Sequence, residues 1–172
     1  MDRGYVQVYT GDGKGKTTAA VGLAVRAAGA GLRVYFCQFM KHGPTGELDA
    51  FRLIGDRIVT EQFGTGDELV AANPEADAAA ARRGLAAARE AVLGGAFDVA
   101  VLDEANVADS LGYFEPNELV DLALERPDGV ELVVTGRGAS ATLMAVADLV
   151  TEMREVKHYY EEGVLARRGI EF

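Results

Sequence analysis

The chain is poor in the residues that make disulfide staples and metal clusters. It holds one cysteine among 172 residues, so no internal disulfide can form. That cysteine, Cys37, sits in the apolar run RVYFCQF, which predicts a buried, reduced thiol in a cytoplasmic setting. The two histidines, His42 and His158, stand too far apart to mark a metal site by spacing and read as surface or edge residues. Basic charge is in deficit: 17 Lys and Arg face 27 Asp and Glu, a formal net charge of -10. Such a surface repels nucleic acid and anionic membranes, and an anionic ligand must find a local positive site. No apolar stretch reaches bilayer length, and no charged segment with an apolar run precedes the first predicted strand, so neither a membrane span nor export is expected. Repeats, low-complexity blocks and linkers are missing as well, and 49% hydrophobic residues suffice for one core, which predicts a single domain over residues 1–172.

What is present is an alternation of strand and helix organised around YVQVYTGDGKGKTT at residues 5–18. Residues 4–10 predict a strand, and an Ala- and Val-rich helix starts at Lys16 and closes at Gly29 and Gly31. Residues 32–40 predict a strand buried on both faces, with a spacing from the first strand that suits a parallel crossover. A polar loop follows at 41–46, then a short helix at 47–54 and a strand at 57–63. Residues 64–72 carry too little pattern to assign and read as a mobile loop. Asn73-Pro74-Glu75 is a helix entry, with the helix running to Leu93 and stopping at Gly94-Gly95. Its pair Arg82-Arg83 reads as a solvated face. A strand at 97–102, a helix at 116–125, a strand at 130–135 and a helix at 140–147 complete the alternation. The charged tail, 152–172, predicts edge strands or a flap.

Three strand ends carry chemistry. The pattern G-x-x-x-x-G-K-[ST] cradles a polyphosphate with backbone N–H groups, a lysine and a magnesium-ligating hydroxyl. Gly15-Lys16-Thr17 supply its end, whereas Thr10 stands where its first glycine belongs, so this is a variant loop. The candidate nucleotide-binding residues are Gly11, Asp12, Gly13, Lys14, Gly15, Lys16, Thr17 and Thr18. Asp103 and Glu104 close an apolar strand, read as lying next to the phosphate-loop strand, where either could serve a metal directly or through water. Thr135-Gly136-Arg137-Gly138 closes another, and Arg137 is a candidate partner for phosphate oxygens. Tyr113-Phe114 and Tyr159-Tyr160 could stack on a flat ligand, but core or interface packing is the favoured reading of both pairs.

The segments YTGDGKGKTTAA, VYFCQFMK, NPEAD, VAVLDE, VVTGRGA and ADLVTEMREVKHYYEEGVLARRGIEF, in this order and nearly end to end, resemble the P-loop type of ATP:corrinoid adenosyltransferase. The resemblance implies a RecA-like α/β fold, a mostly parallel central sheet with helices on both faces, a homodimer and bound Mg-ATP. It implies transfer of the 5′-deoxyadenosyl group of ATP to the Co(I) of a reduced corrinoid, cobalamin or cobyrinic acid a,c-diamide, with triphosphate as leaving group. In that family the phosphate loop holds ATP in reverse of the usual orientation, exposing C5′. Carried over, residues 11–17 hold triphosphate, Lys16 and Thr18 stabilise its charge, and Thr17 with Glu104 would serve magnesium; Arg137 and Asp103, read from their strand ends, join the charge-stabilising and metal-binding candidates respectively. The resemblance leaves room for a separate reductase as the source of Co(I). Better-known members carry an N-terminal extension that helps close the site, and some carry aromatics where this chain has 64–72. The rival readings are a P-loop ATPase or kinase-like module acting at the γ-phosphate and an ATP-dependent corrinoid carrier.

Overall fold

The computed structural model describes residues 2–66 and 73–172. Six parallel strands form one sheet, in the spatial order β3-β2-β4-β5-β1-β6. In chain order they are β1 (Val6–Thr10), β2 (Val34–Phe39), β3 (Ile58–Phe63), β4 (Val99–Asp103), β5 (Glu131–Thr135) and β6 (Leu149–Glu152). The helices are α1 (Lys16–Gly29), α2 (Gly46–Ile54), α3 (Pro74–Leu93), α4 (Ala105–Ser110), α5 (Glu118–Glu125) and α6 (Ala141–Val146), with a short 3-10 helix at Tyr159–Glu162.

The parallel arrangement follows from the strands' composition. A parallel sheet is covered on both faces at its centre, where β2 and β4 are buried at every position, whereas β6 at the edge is exposed at all four. Two cores result. On one face Ala20, Ala24 and Ala27 of α1 and Leu48 and Phe51 of α2 pack on Val34, Phe36, Val101 and Val133. On the other, α3, α4, α5 and α6 cover Cys37, Phe39, Leu102 and Val134. Fully buried Phe36, Phe39 and Phe51 each contribute about 2–3 kcal/mol of apolar burial. The small residues of α3 let it approach closely: a Cβ on Gly84 would lie 2.8 Å from Phe39 and from Phe63.

The α/β class and the parallel sheet agree with the expectation from sequence, and this is a P-loop NTPase-like α/β fold. The predicted helix entry at Asn73 is present: its side chain accepts a hydrogen bond from Ala76 N–H at 3.2 Å. Cys37 is fully buried, and Tyr113 and Phe114 belong to the core, with Phe114 edge-on to Phe39. The loop expected at 64–72 falls mostly outside the described residues. One expectation needs correction, and one element was missed. The strand bearing Asp103 is not next to β1, because β5 lies between them. Residues 105–110 form a helix that the sequence did not signal, since six residues hold less than two turns of apolar period. The tail contributes one parallel edge strand, β6, and then crosses the phosphate loop: Gly13 N–H donates to Met153 O at 2.7 Å. Among the described residues no helix is long and apolar enough to cross a membrane.

Candidate active site at the carboxyl edge of the sheet

Four adjacent strands end in the same way. The residue directly after β1, β2, β4 and β5 has positive φ: Gly11 at 93°, Met40 at 57°, Glu104 at 62° and Gly136 at 130°. Such a backbone breaks the extended run and turns the chain over the sheet edge. It carries Lys41, Glu104 and Arg137 into a single cavity of about 700 Å³, together with the loop after β1. The cavity lies where open parallel sheets place ligands.

The phosphate loop is built by glycines whose freedom is used. Thr10, at the position of the standard first glycine, is still in β1, and its hydroxyl accepts from Ala139 N–H at 3.3 Å. The turn falls one residue later, on Gly11, where a Cβ would lie 2.4 Å from Met153 O. Gly15, with φ 124°, precedes α1 and gives it no side-chain cap, so the first amides of the helix lack an intramolecular acceptor from that side chain. Lys16 is buried and its Nζ donates to Gly11 O at 2.6 Å and Gly13 O at 2.9 Å. Burial lowers its pKa, against the opposing charge of Glu104. Asp12, Gly13, Lys14, Gly15, Lys16, Thr17 and Thr18 all line the cavity. Arg137 lines it too, donating to Asp12 O at 3.1 Å with its side chain largely exposed.

The two acids differ sharply. Asp103 is fully buried and its oxygens are engaged: Oδ1 accepts from Thr17 at 2.8 Å and Thr135 at 2.7 Å, and Oδ2 from Lys41 at 2.9 Å and Gln38 at 3.4 Å. The carboxylate of Glu104 lines the cavity and accepts no hydrogen bond among the described residues, while its own N–H donates to Thr135 Oγ1 at 3.0 Å. Burial raises its pKa and the Asp103 charge adds to the rise, against Lys41, Lys16 and Arg137. Burial opposes the charge of Lys41, but Asp103, with Glu104 and Glu47 adding to it, outweighs that and the ammonium's pKa rises.

The sequence reading missed Lys41 and the tail residues Gly169, Ile170, Glu171 and Phe172 as cavity residues, and Gln38 as a partner of Asp103. The polar loop at 41–46 was the available signal for Lys41. His158 lines the cavity, whereas His42 does not. Among the described residues no cluster of three or more His, Cys, Asp or Glu could hold a metal by itself. A cation here would share its shell with ligand oxygens, the usual habit of magnesium with nucleotides. Thr17 Oγ1 and the uncommitted Glu104 carboxylate fit that donor set.

Comparison with known proteins decides the lineage. Residues 2–172 match the family described as ATP:corrinoid adenosyltransferase BtuR/CobO/CobP. The chain belongs to this family. It is 37% identical over 172 residues to a corrinoid adenosyltransferase of Escherichia coli (strain K12), covering 99% of this chain and 87% of that one. It is 36% identical to the corrinoid adenosyltransferase of Pseudomonas aeruginosa, over 99% and 85% of the two chains. Identity is again 36% to corrinoid adenosyltransferase CobA of Salmonella typhimurium, over 99% and 87%. The adenosyltransferase match spans the phosphate loop, the Asp103-Glu104 strand end and the tail alike.

Proposed function

We propose that the protein is a corrinoid adenosyltransferase that moves the 5′-deoxyadenosyl group of ATP to the Co(I) of a corrinoid. The observation that carries this reading is the family match over residues 2–172 in a chain whose Lys14, Lys16, Lys41 and Arg137 border one phosphate-loop cavity. In the step, the Co(I) electron pair forms the Co–C bond to C5′, the C5′–O bond breaks, and triphosphate leaves with the bonding pair. Cobalt is the nucleophile, so the protein needs neither a nucleophilic side chain nor a general base. Its task is to orient ATP and neutralise the leaving group.

The residues divide that task. The loop of 11–17, whose Gly13 amide is taken by Met153 O, and the first turn of α1 hold the triphosphate, and Lys16, Thr18 and Arg137 meet its growing charge. Thr17 and Glu104 would hold magnesium, which when bound withdraws charge from the leaving phosphates. Asp103, already sharing its oxygens with four donors, orients Thr17 and Lys41 from behind. The family resemblance further supports a homodimer, a cytoplasmic location, a separate reductase for cobalt, and cobalamin or cobyrinic acid a,c-diamide as acceptor. One domain over 1–172 is favoured by the single sheet to which all six strands belong.

Anaerobic incubation with ATP, magnesium and chemically reduced corrinoid tests the reading. The expected result is the adenosylcorrinoid spectrum with one equivalent of inorganic triphosphate. ADP and phosphate without a Co–C bond would mean chemistry at the γ-phosphate and overturn it, as would tight binding of both substrates without turnover.

A further inference from the structure

The cavity has a second wall that the proposed chemistry leaves without a role. It is made by His158 and residues 169–172, and one side chain gathers it. The Glu171 carboxylate accepts from the Tyr159 hydroxyl, from Arg167 N–H at 2.7 Å and from the Arg167 guanidinium at 3.5 Å, and lies 3.8 Å from Lys14 Nζ. Arg167 also lies over the Tyr159 ring at 5.0 Å. The backbone between them is a closed turn, with Ile170 N–H and Glu171 N–H donating to Arg167 O and Gly169 N–H to Phe172 O. Lys14, in the phosphate loop, donates from Nζ to Ile170 O at 3.1 Å. The turn is therefore stapled to the loop by one ammonium, and both border the same cavity.

We propose that Glu171 is a positioning residue for ATP: it fixes the 167–172 turn against the phosphate loop and so holds the Lys14 ammonium where the triphosphate binds. The role rests on the function proposed above, but it makes a separate claim about sign. A carboxylate in the wall of an anion site repels the ligand. If Glu171 were only that, neutralising it would tighten triphosphate binding. If it acts through Lys14, neutralising it weakens binding, because a long lysine that loses its tether must be ordered by the ligand instead.

Calorimetric titration of the whole protein with ATP, and with inorganic tripolyphosphate, reads this in the presence of magnesium. Glu171→Gln and Tyr159→Phe are each expected to weaken both ligands about fivefold to tenfold, roughly one charge-assisted hydrogen bond, and to raise the KM for ATP alike with kcat held within about twofold. In a Lys14→Ala background the same changes are expected to cost less than about twofold, since the coupled partner is already gone. Unchanged or tighter binding by Glu171→Gln overturns the proposal. Equal losses with and without Lys14 also overturn it, because they describe general support of the fold. Tyr159→Phe alters no charge and gives the answer if Glu171→Gln does not fold. Tripolyphosphate binding needs no corrinoid, so coupling between Lys14 and Glu171 in a protein that makes no adenosylcorrinoid would sustain this role while removing the proposed function.

Discussion

The cavity's deep wall and its outer wall are built on opposite plans. Behind the phosphate loop, Asp103 is fully buried and ties β4 to α1, β5 and the end of β2 through Thr17, Thr135 and Lys41. In front of it, residues 153–172 are mostly exposed and meet the loop through Gly13 and Lys14. A buried carboxylate with all its lone pairs taken cannot move without unmaking the core. An exposed turn held by hydrogen bonds can be released at little cost to the fold. The deep wall should therefore govern stability, and the outer wall ligand binding with little effect on stability.

The largest effect should come from Asp103→Ala. Lys41 can turn toward Glu47, 3.9 Å away, but the hydroxyls of Thr17 and Thr135 lose a shared acceptor in the interior. Breaking such a network is expected to cost about 3 kcal/mol of unfolding free energy in denaturant titration. A loss below about 1 kcal/mol, the scale of an exposed ion pair, would erase the distinction between the walls.

Lys16→Ala comes next and separates binding from folding. Its ammonium is held by two carbonyls of its own loop and contributes little to the packed core. ATP affinity is expected to fall about 100-fold or more, with the unfolding midpoint nearly kept. Wild-type affinity in this variant would remove the loop from the site.

Much of this was legible in the sequence, and the illegible parts share a cause. The phosphate loop, the order of most elements and the apolar strands could be read because glycine spacing and hydrophobic runs are local signals. The turn at Gly11 was readable for the same reason. Equivalent turns at Met40 and Glu104 were not, because nothing in those residue types announces a left-handed backbone; tertiary contacts impose it. Lys41 thus passed as part of a polar loop. The insertion of β5 between β1 and β4 was hidden too, since strand order depends on contacts distant in sequence. Asp103 and Glu104 are neighbours with identical charge, and only burial separates the saturated acid from the open one.

Gly13→Ala probes the outer wall from the loop side. A Cβ there would lie 2.7 Å from Arg154 C and 2.8 Å from Met153 O, so backbone has to shift. Arg154 is exposed and Met153 meets the phosphate loop itself, through Thr10 O, Gly11 and Gly15, so the strain falls on the loop and tail and the cost in unfolding free energy is expected to stay below about 1 kcal/mol. Binding of ATP should weaken about tenfold, because the loop amides lose their fixed direction. A large stability loss with intact binding would invert the comparison.

Acid should give the smallest and most local effect. The hydrogen bond from Tyr159, with that from Arg167 N–H, holds the Glu171 carboxyl at about 2, below its ordinary 4.5. A carboxylate with a depressed folded pKa binds fewer protons folded than unfolded, so the tethering it provides is complete above pH 4.5 and fades as the pH falls toward 2. The turn at 167–172 should then come away from Lys14 within that window. NMR signals of the Tyr159 ring and the Arg167 amide are expected to report the release, and Glu171→Gln should show the released signals at neutral pH with no acid step. A Tyr159 signal that moves only with global unfolding would make the tail part of the core, and the two walls would then be one.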